Sequence, residues 1–279
     1  MNGTEFELSK ELWLECFEED SKPFVDWYYS ERTKPEYALG AFEAGAERPV
    51  SMLHIIPMHM RFCGKKRSVG FVAGVCTSPD RRRRGICGEL FAHAFRIMRE
   101  RGFDATVLQP FRTDFYARFG YSTYIVRNEA RVSYDRLNRI VRPTERPPRN
   151  DPDSVKLEKL YRSAMKGYDG ASIRDREYFE SFIHEYSLPG AVLVTAENGC
   201  CAGYPESSGV FRATELFFRP EQDPFALLPE GYDEYVLPLP ADRPVPEGCE
   251  AVSTEFSMLA PLKPGFRFGK RPLYGFDRY

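Results

Sequence analysis

The stretch from Gly70 to Gly102, GFVAGVCTSPDRRRRGICGELFAHAFRIMRERG, decides how the rest of the chain is read. An apolar run, Phe71 to Thr77, ends at Pro79, and four consecutive arginines, Arg81 to Arg84, follow it. Gly85 then opens a segment in which Ile86, Leu90, Ala94 and Ile97 or Met98 recur at steps of four and three. The run predicts a strand; the steps predict an amphipathic helix that stops at Arg101-Gly102. A strand feeding a glycine-started helix, with arginines between them, can hold an anion. The first helical turn leaves backbone N–H groups without partners, its dipole is positive there, and glycine lets a phosphate come close. Arginine adds forked phosphate contacts that lysine cannot match. Taken alone, four arginines suit a solvated face or a nucleic-acid patch equally well, and it is the fixed order of strand, proline, arginines, glycine and helix that favours the anion site. A Walker loop is excluded because no Gly-Lys-Ser/Thr follows, and Gly85 and Gly88 do not make a Rossmann fingerprint.

Upstream, Tyr37 to Phe42, Val50 to Phe62 and Ser68 to Thr77 predict three antiparallel strands, with a hairpin turn at Cys63 to Lys66. Two short helices are expected before them, where Leu12, Phe17, Phe24, Trp27 and Tyr28 recur at roughly helical spacing, with Pro23 and Pro35 as breaks. Downstream come a short strand over Asp104 to Leu108, a short helix over Thr113 to Phe119 and a long strand over Tyr121 to Val132. Residues 142–154 hold four prolines and read as a linker. The expected organisation is a first domain over 1–140, a linker over 141–154 and a second α/β domain over 155–279. In the second domain, Val155 to Met165 and Asp175 to Tyr186 predict helices. Strands are predicted at Ala191 to Ala196, Val210 to Phe218 and Glu255 to Leu262, and no catalytic motif is visible.

Composition sets the outer limits. The chain has 279 residues, 42% hydrophobic and 29% charged, which is globular. With 39 Lys and Arg against 41 Asp and Glu, nothing global draws it to nucleic acid or to an anionic membrane. Charge is nevertheless uneven: residues 1–36 carry ten acids against four bases, net −6, and residues 61–101 carry eleven bases against three acids, net +8. No secretory signal and no run near the ~20 apolar residues of a membrane span is present, so a cytoplasmic location is expected. Seven scattered cysteines without a Cys-x-x-Cys pair, and four histidines, give no metal-ligand spacing. Cys76 and Cys87 read as packing residues.

The hexapeptide Arg82-Arg83-Arg84-Gly85-Ile86-Cys87 resembles the pyrophosphate loop, Gln/Arg-x-x-Gly-x-Gly/Ala, of the GNAT family of acetyl-CoA-dependent N-acetyltransferases; Cys87 departs from the small residue at the sixth position. Leu108 to Ser122, LQPFRTDFYARFGYS, resembles the Tyr-x-Arg-Phe-Gly-Tyr segment of the enhanced-intracellular-survival (Eis-like) branch, without that branch's sterol-carrier-like domain. The resemblance implies a GNAT α/β fold with a mixed, mostly antiparallel sheet, followed by a smaller, degenerate GNAT-like domain. It implies that acetyl-CoA is the co-substrate, with the pantetheine arm on Val75 and Thr77 and the pyrophosphate on Arg82, Arg83, Gly85 and Ile86. It implies an amine acceptor and Tyr116 as general acid; in that branch a chain-terminal carboxylate of the further domain acts as a base, a part that the Tyr279 carboxylate could take here if the aromatic tail folds back, with a frayed or edge-packed terminus as the alternative. A non-catalytic acyl-CoA-binding or protein-interaction module is the alternative, and a homo-oligomer stays open. On the residues alone Tyr116 could be aromatic packing, and His54 reads better as a hydrogen-bonded core histidine than as a base.

Overall fold

The computed structural model describes residues 1–141, 149–207, 209–243, 245, 247, 249–275 and 277. Internal contacts divide the chain into two units: Met1–Tyr124 with Ser257–Gly269 and the described Asp277, and Ile125–Phe256 with residues 270–275. This division differs from the expected one at 141–154, of which 142–148 lie outside the described residues. The chain passes between units inside two strands, where continuous strand patterning hides a boundary from sequence.

In the first unit, helix α1 (Gly3–Cys16) begins at an Asn2/Glu5 capping box, in which each side chain accepts from the other's backbone N–H. Helix α2 (Lys22–Trp27) starts on the Ser21 hydroxyl and continues into one π-type turn, Tyr28–Arg32, that buries Tyr28 and Tyr29. Strands β1 (Ala38–Ala41), β2 (Ser51–Phe62) and β3 (Lys65–Thr77) run antiparallel. The β2–β3 turn is Cys63-Gly64, both with positive φ, as expected for a two-residue hairpin. Helix α3 (Ile86–Glu100) crosses to β4 (Ala105–Leu108), which lies parallel to β3 and is followed by α4 (Thr113–Ala117). Phe91, Ala94, Phe95 and Met98 of α3 cover Leu53, Ile55 and Val72 of the sheet. The fifth strand comes from the far end of the chain: in β10 (Glu250–Pro261), residues Met258 to Pro261 pair antiparallel with β4. Glu255 to Leu262 was expected to complete the second domain, and its last part instead completes the first sheet.

The second unit repeats this order. After β5 (Ser122–Ser133) and α5 (Tyr134–Ile140) come two helices, α6 (Ser154–Ala164) and α7 (Arg176–Glu185), then antiparallel β6 (Val192–Ala196), β7 (Gly199–Ser207) and β8 (Val210–Phe218). Strand β9 (Glu234–Pro240) lies parallel to β8 and antiparallel to β5. Both units therefore read antiparallel, antiparallel, parallel, antiparallel. The crossovers differ: α3 bridges β3 to β4, whereas β8 and β9 are joined through a single 3-10 turn, Pro224–Leu227, with no arginine loop and no helix start. Sequence reading missed β9 because Pro238 and Pro240 argue against a strand between two neighbours. The parallel ladder explains them, since β8 pairs β9 only from Glu234 to Val236, so both prolines lie beyond it. Tyr274 of the aromatic tail, fully buried, donates its hydroxyl to the Pro238 carbonyl at 3.2 Å, and so fills the space beside β9.

Among the described residues no helix is long and apolar enough to cross a membrane, and no cluster of three His, Cys, Asp or Glu side chains could hold a metal.

Candidate active site

Two parallel strands that part create the site. Val69, Gly70 and Phe71 pair with Ala105, Thr106 and Val107; beyond Phe71, β3 has no β4 partner among the described residues. Backbone groups on that side of β3 have no strand partner there, although the Thr77 carbonyl already accepts from Arg82 Nε. The parting is assisted by a bulge. Met52 pairs with Cys76 but His54 pairs with Ala73, so Gly74 and Val75 together face the single residue Leu53. Gly74 has φ +58°, and a Cβ there would lie 2.6 Å from the Trp13 ring, so both conformation and space require glycine. The bulge turns Val75, Cys76 and Thr77 away from the regular pleat. Val75 and Thr77 remain half-buried while Cys76 points inward.

The arginine loop follows directly, and its four guanidinium groups have different fates. Arg81 is held by Glu43 at 2.6 Å and by Asp80. Arg82 donates from Nε to the Thr77 carbonyl at 3.0 Å, and Arg84 donates to the Asp80 carbonyl at 3.3 Å. Arg83 is exposed and has no side-chain partner among the described residues, and its backbone takes the left-handed φ of +64°. That conformation costs a non-glycine residue ~1–2 kcal/mol, and neighbours tied down on both sides impose it. Gly85, φ +83°, is the N-cap of α3, and no side chain caps the helix. In its first turn the Gly88 N–H donates to the Gly85 carbonyl at 2.9 Å, while the Ile86 and Cys87 N–H groups have no partner among the described residues. Arg82 organises the loop, a role that composition alone does not separate from that of Arg83.

Tyr116, on the short α4, is 4% exposed and is surrounded by Phe91, Phe111, Phe115 and Tyr121. This is the packing that a run of aromatics predicts, and the hydroxyls separate the two tyrosines. Tyr121 is fully buried with its hydroxyl 2.9 Å from Thr106 Oγ1, which makes it structural. The Tyr116 hydroxyl has no hydrogen-bond partner among the described residues and is not one of the sealed polar atoms, so its remaining exposure is at the reactive end. Burial, with a smaller effect of Cys87 close by, raises its pKa above that of free tyrosine, so it stays protonated throughout the physiological range.

His54 is a core residue, as the sequence suggests. It is 0% exposed, its Nδ1 is 3.1 Å from the Tyr28 hydroxyl, and Phe6, Trp13, Tyr28 and Tyr29 enclose the ring. Burial pushes its pKa down to about 3, and Nε2 is sealed, so it has no route to a substrate proton. Trp27, Tyr28 and Tyr29 are equally buried and present no aromatic surface. The expected base, Tyr279, lies outside the described residues; the last described residue, Asp277, is buried and groups with the first unit. A cavity of about 690 Å³ lies in the second unit; three acids and three bases line it, and none of the loop or tyrosine residues does.

Residues 1–124 match the family model for the acetyltransferase (GNAT) domain. Their fold is the α/β GNAT fold, with a mixed, mostly antiparallel sheet. Solved structures are similar in fold over nearly the whole chain: a GCN5-related N-acetyltransferase from Anabaena variabilis superposes with a TM-score of 0.75 at 14% identity, covering 94% of this chain and 71% of that one. A GCN5-related N-acetyltransferase from Kribbella flavida gives 0.68 at 17%, covering 93% and 69%, and Eis1 from Mycobacterium abscessus gives 0.66 at 17%, covering 92% and 71%. At these identities the likeness is one of fold. None of the curated proteins matches the chain. The second unit shares the strand order of the first and has no helix start between β8 and β9.

Proposed function

We propose that the protein transfers an acetyl group from acetyl-CoA to a primary amine. The observation that carries this reading is the convergence of three features of the first unit: a β3 edge without a β4 partner at Val75 and Thr77, an uncapped helix start flanked by Arg83, which has no side-chain partner among the described residues, and an unbonded tyrosine hydroxyl at 116. In the proposed complex the pantetheine amides pair with Val75 and Thr77, and the pyrophosphate lies on the N–H groups of Gly85 and Ile86, with Arg83 in charge-assisted contact and Arg82 bracing the loop. The amine nitrogen attacks the thioester carbon, the C–S bond breaks, and the leaving thiolate, intrinsic pKa ~8.5, takes a proton from Tyr116. The ammonium of an amine with pKa near ~10 must first lose its proton, and Tyr279's carboxylate is the proposed acceptor.

Replacing Arg83 by glutamate is expected to weaken acetyl-CoA binding at least ~10-fold, about 1.4 kcal/mol, as measured calorimetrically. Unchanged affinity in the folded variant removes the loop from the cofactor site.

A cationic acceptor, a polyamine-like small molecule or a lysine side chain, follows from the acidic first segment. Part of that charge is already used: Lys10 pairs with Glu7 and Asp26, and Arg48 with Glu11 and Glu15. Glu18 and Glu19 remain exposed. A panel of neutral and polycationic amines, assayed by free CoA, is expected to favour the polycations and to lose that preference as salt rises. Equal, salt-insensitive rates argue against the charge preference; acetyl-CoA binding without CoA release for any amine favours a non-catalytic acyl-CoA-binding module. A short Gly-Ser extension after Tyr279 is expected to lower turnover in the same assay, and full activity assigns the base to water.

A further inference from the structure

The C-terminal turn of α1 brings Cys16 against the end of β3. Its Sγ lies 3.6 Å from the carbonyl oxygen of Thr77, the same oxygen that receives Arg82 Nε. Cys76, next to Thr77, is buried at 8% exposure, and its thiol lies beside that of Cys16. Cys16 itself is half-buried. Hydrogen bonding from Cys76, and after it from Arg82, outweighs burial and brings the Cys16 thiol down to about 7, while the same contact and its own burial push Cys76 far up. The charges facing the pair are Arg82 and Glu15, the latter already engaged by Ser78 and Arg48. The two residues thus have unequal parts: one reachable, readily ionised sulfur, and one sheltered thiol in contact with it.

We infer that Cys16 and Cys76 form a dithiol modification site for small oxidised thiols, and that closing it shuts the acyl-CoA strand. The Cys16 thiolate attacks one sulfur of a low-molecular-weight disulfide, forming a mixed disulfide and releasing one thiol. Cys76 then attacks Cys16 Sγ, its proton passing to the departing thiolate, so that the second thiol leaves and a Cys16–Cys76 disulfide remains. Two protein thiols are oxidised and one external disulfide is reduced to two thiols. Bond formation draws Cys76 toward α1 and takes away the thiolate that faces Arg82. Thr77 and the loop that Arg82 braces on it then shift. This last consequence rests on the proposed acetyl-CoA site; the disulfide does not.

The test uses the full chain equilibrated in oxidised glutathione and mapped by mass spectrometry without reduction. A Cys16–Cys76 linkage is expected in the unmodified protein, a glutathione adduct on Cys16 in Cys76→Ser, and neither in Cys16→Ser. Reaction confined to the exposed Cys63, with Cys16 left reduced, overturns the site. Acetyl-CoA affinity of the oxidised protein is expected to fall at least 5-fold and to return on reduction, with Cys16→Ser insensitive to oxidant. A formed disulfide with unchanged affinity overturns the closing effect. A reduced protein that does not bind acetyl-CoA refutes the cofactor reading and leaves the mapping to decide the site.

Discussion

Tyr116→Phe is expected to lower turnover by roughly 10²-fold while acetyl-CoA affinity stays within about twofold, because the change removes only the hydroxyl and keeps the ring among Phe91, Phe111 and Phe115. A hydroxyl donating only to the departing sulfur acts in the transition state, so its loss should appear in kcat rather than in binding. Burial holds the Tyr116 pKa above its ordinary value, so the acid form is complete below that range. Rates should therefore show no fall on the alkaline side before pH ~10 that traces to this group. The companion change, Tyr121→Phe, breaks the 2.9 Å bond to Thr106 and should cost stability before it costs turnover. Near-normal turnover in Tyr116→Phe assigns the ring to packing, which is the reading that four neighbouring aromatics would otherwise carry.

Local signals exposed the first unit and long-range pairing concealed the rest. The strand, arginine loop and helix of residues 70–102 are legible because each is written in consecutive residues: apolar run, proline, basic run, glycine, helical period. The fate of each arginine is not, since Arg81 is neutralised by Glu43, 38 positions away, and Arg83 is singled out only by what its neighbours already hold. The two units are obscured for the same reason. Each sheet takes its fifth strand from across the chain, β10 for the first and β5 for the second, and a strand's own residues do not specify its partner. His54 was read correctly because an isolated histidine in an apolar strand has few other destinations. The Cys16 and Cys76 contact spans 60 residues and leaves no trace in spacing, which is why Cys76 reads as mere packing until α1 is placed.

Glu215→Gln is expected to destabilise the protein by ~3–5 kcal/mol, because it keeps the shape and strands a buried cation. Arg174 has 0% side-chain exposure, and both of its terminal nitrogens donate to Glu215 at 2.9 Å, with Nε on the Ser172 hydroxyl at 3.1 Å. The rings of Tyr161 and Tyr178 each lie 4.5 Å from the guanidinium carbon, so water has little access from those sides. Glu215 sits on β8 and Arg174 just before α7, so the pair fastens a helix start to the sheet. The net worth of such a pair is small, since desolvating two charges offsets their attraction, but removing one partner exposes the full desolvation penalty of the other. A double change, Arg174→Met with Glu215→Leu, should therefore recover most of what Glu215→Gln loses, and denaturant unfolding of the three proteins measures both. A loss below ~1 kcal/mol in Glu215→Gln would mean that Arg174 finds another acceptor and that packing, not the ion pair, fixes α7. The larger loss, with recovery in the double variant, identifies a charge pair that fastens the start of α7 to β8.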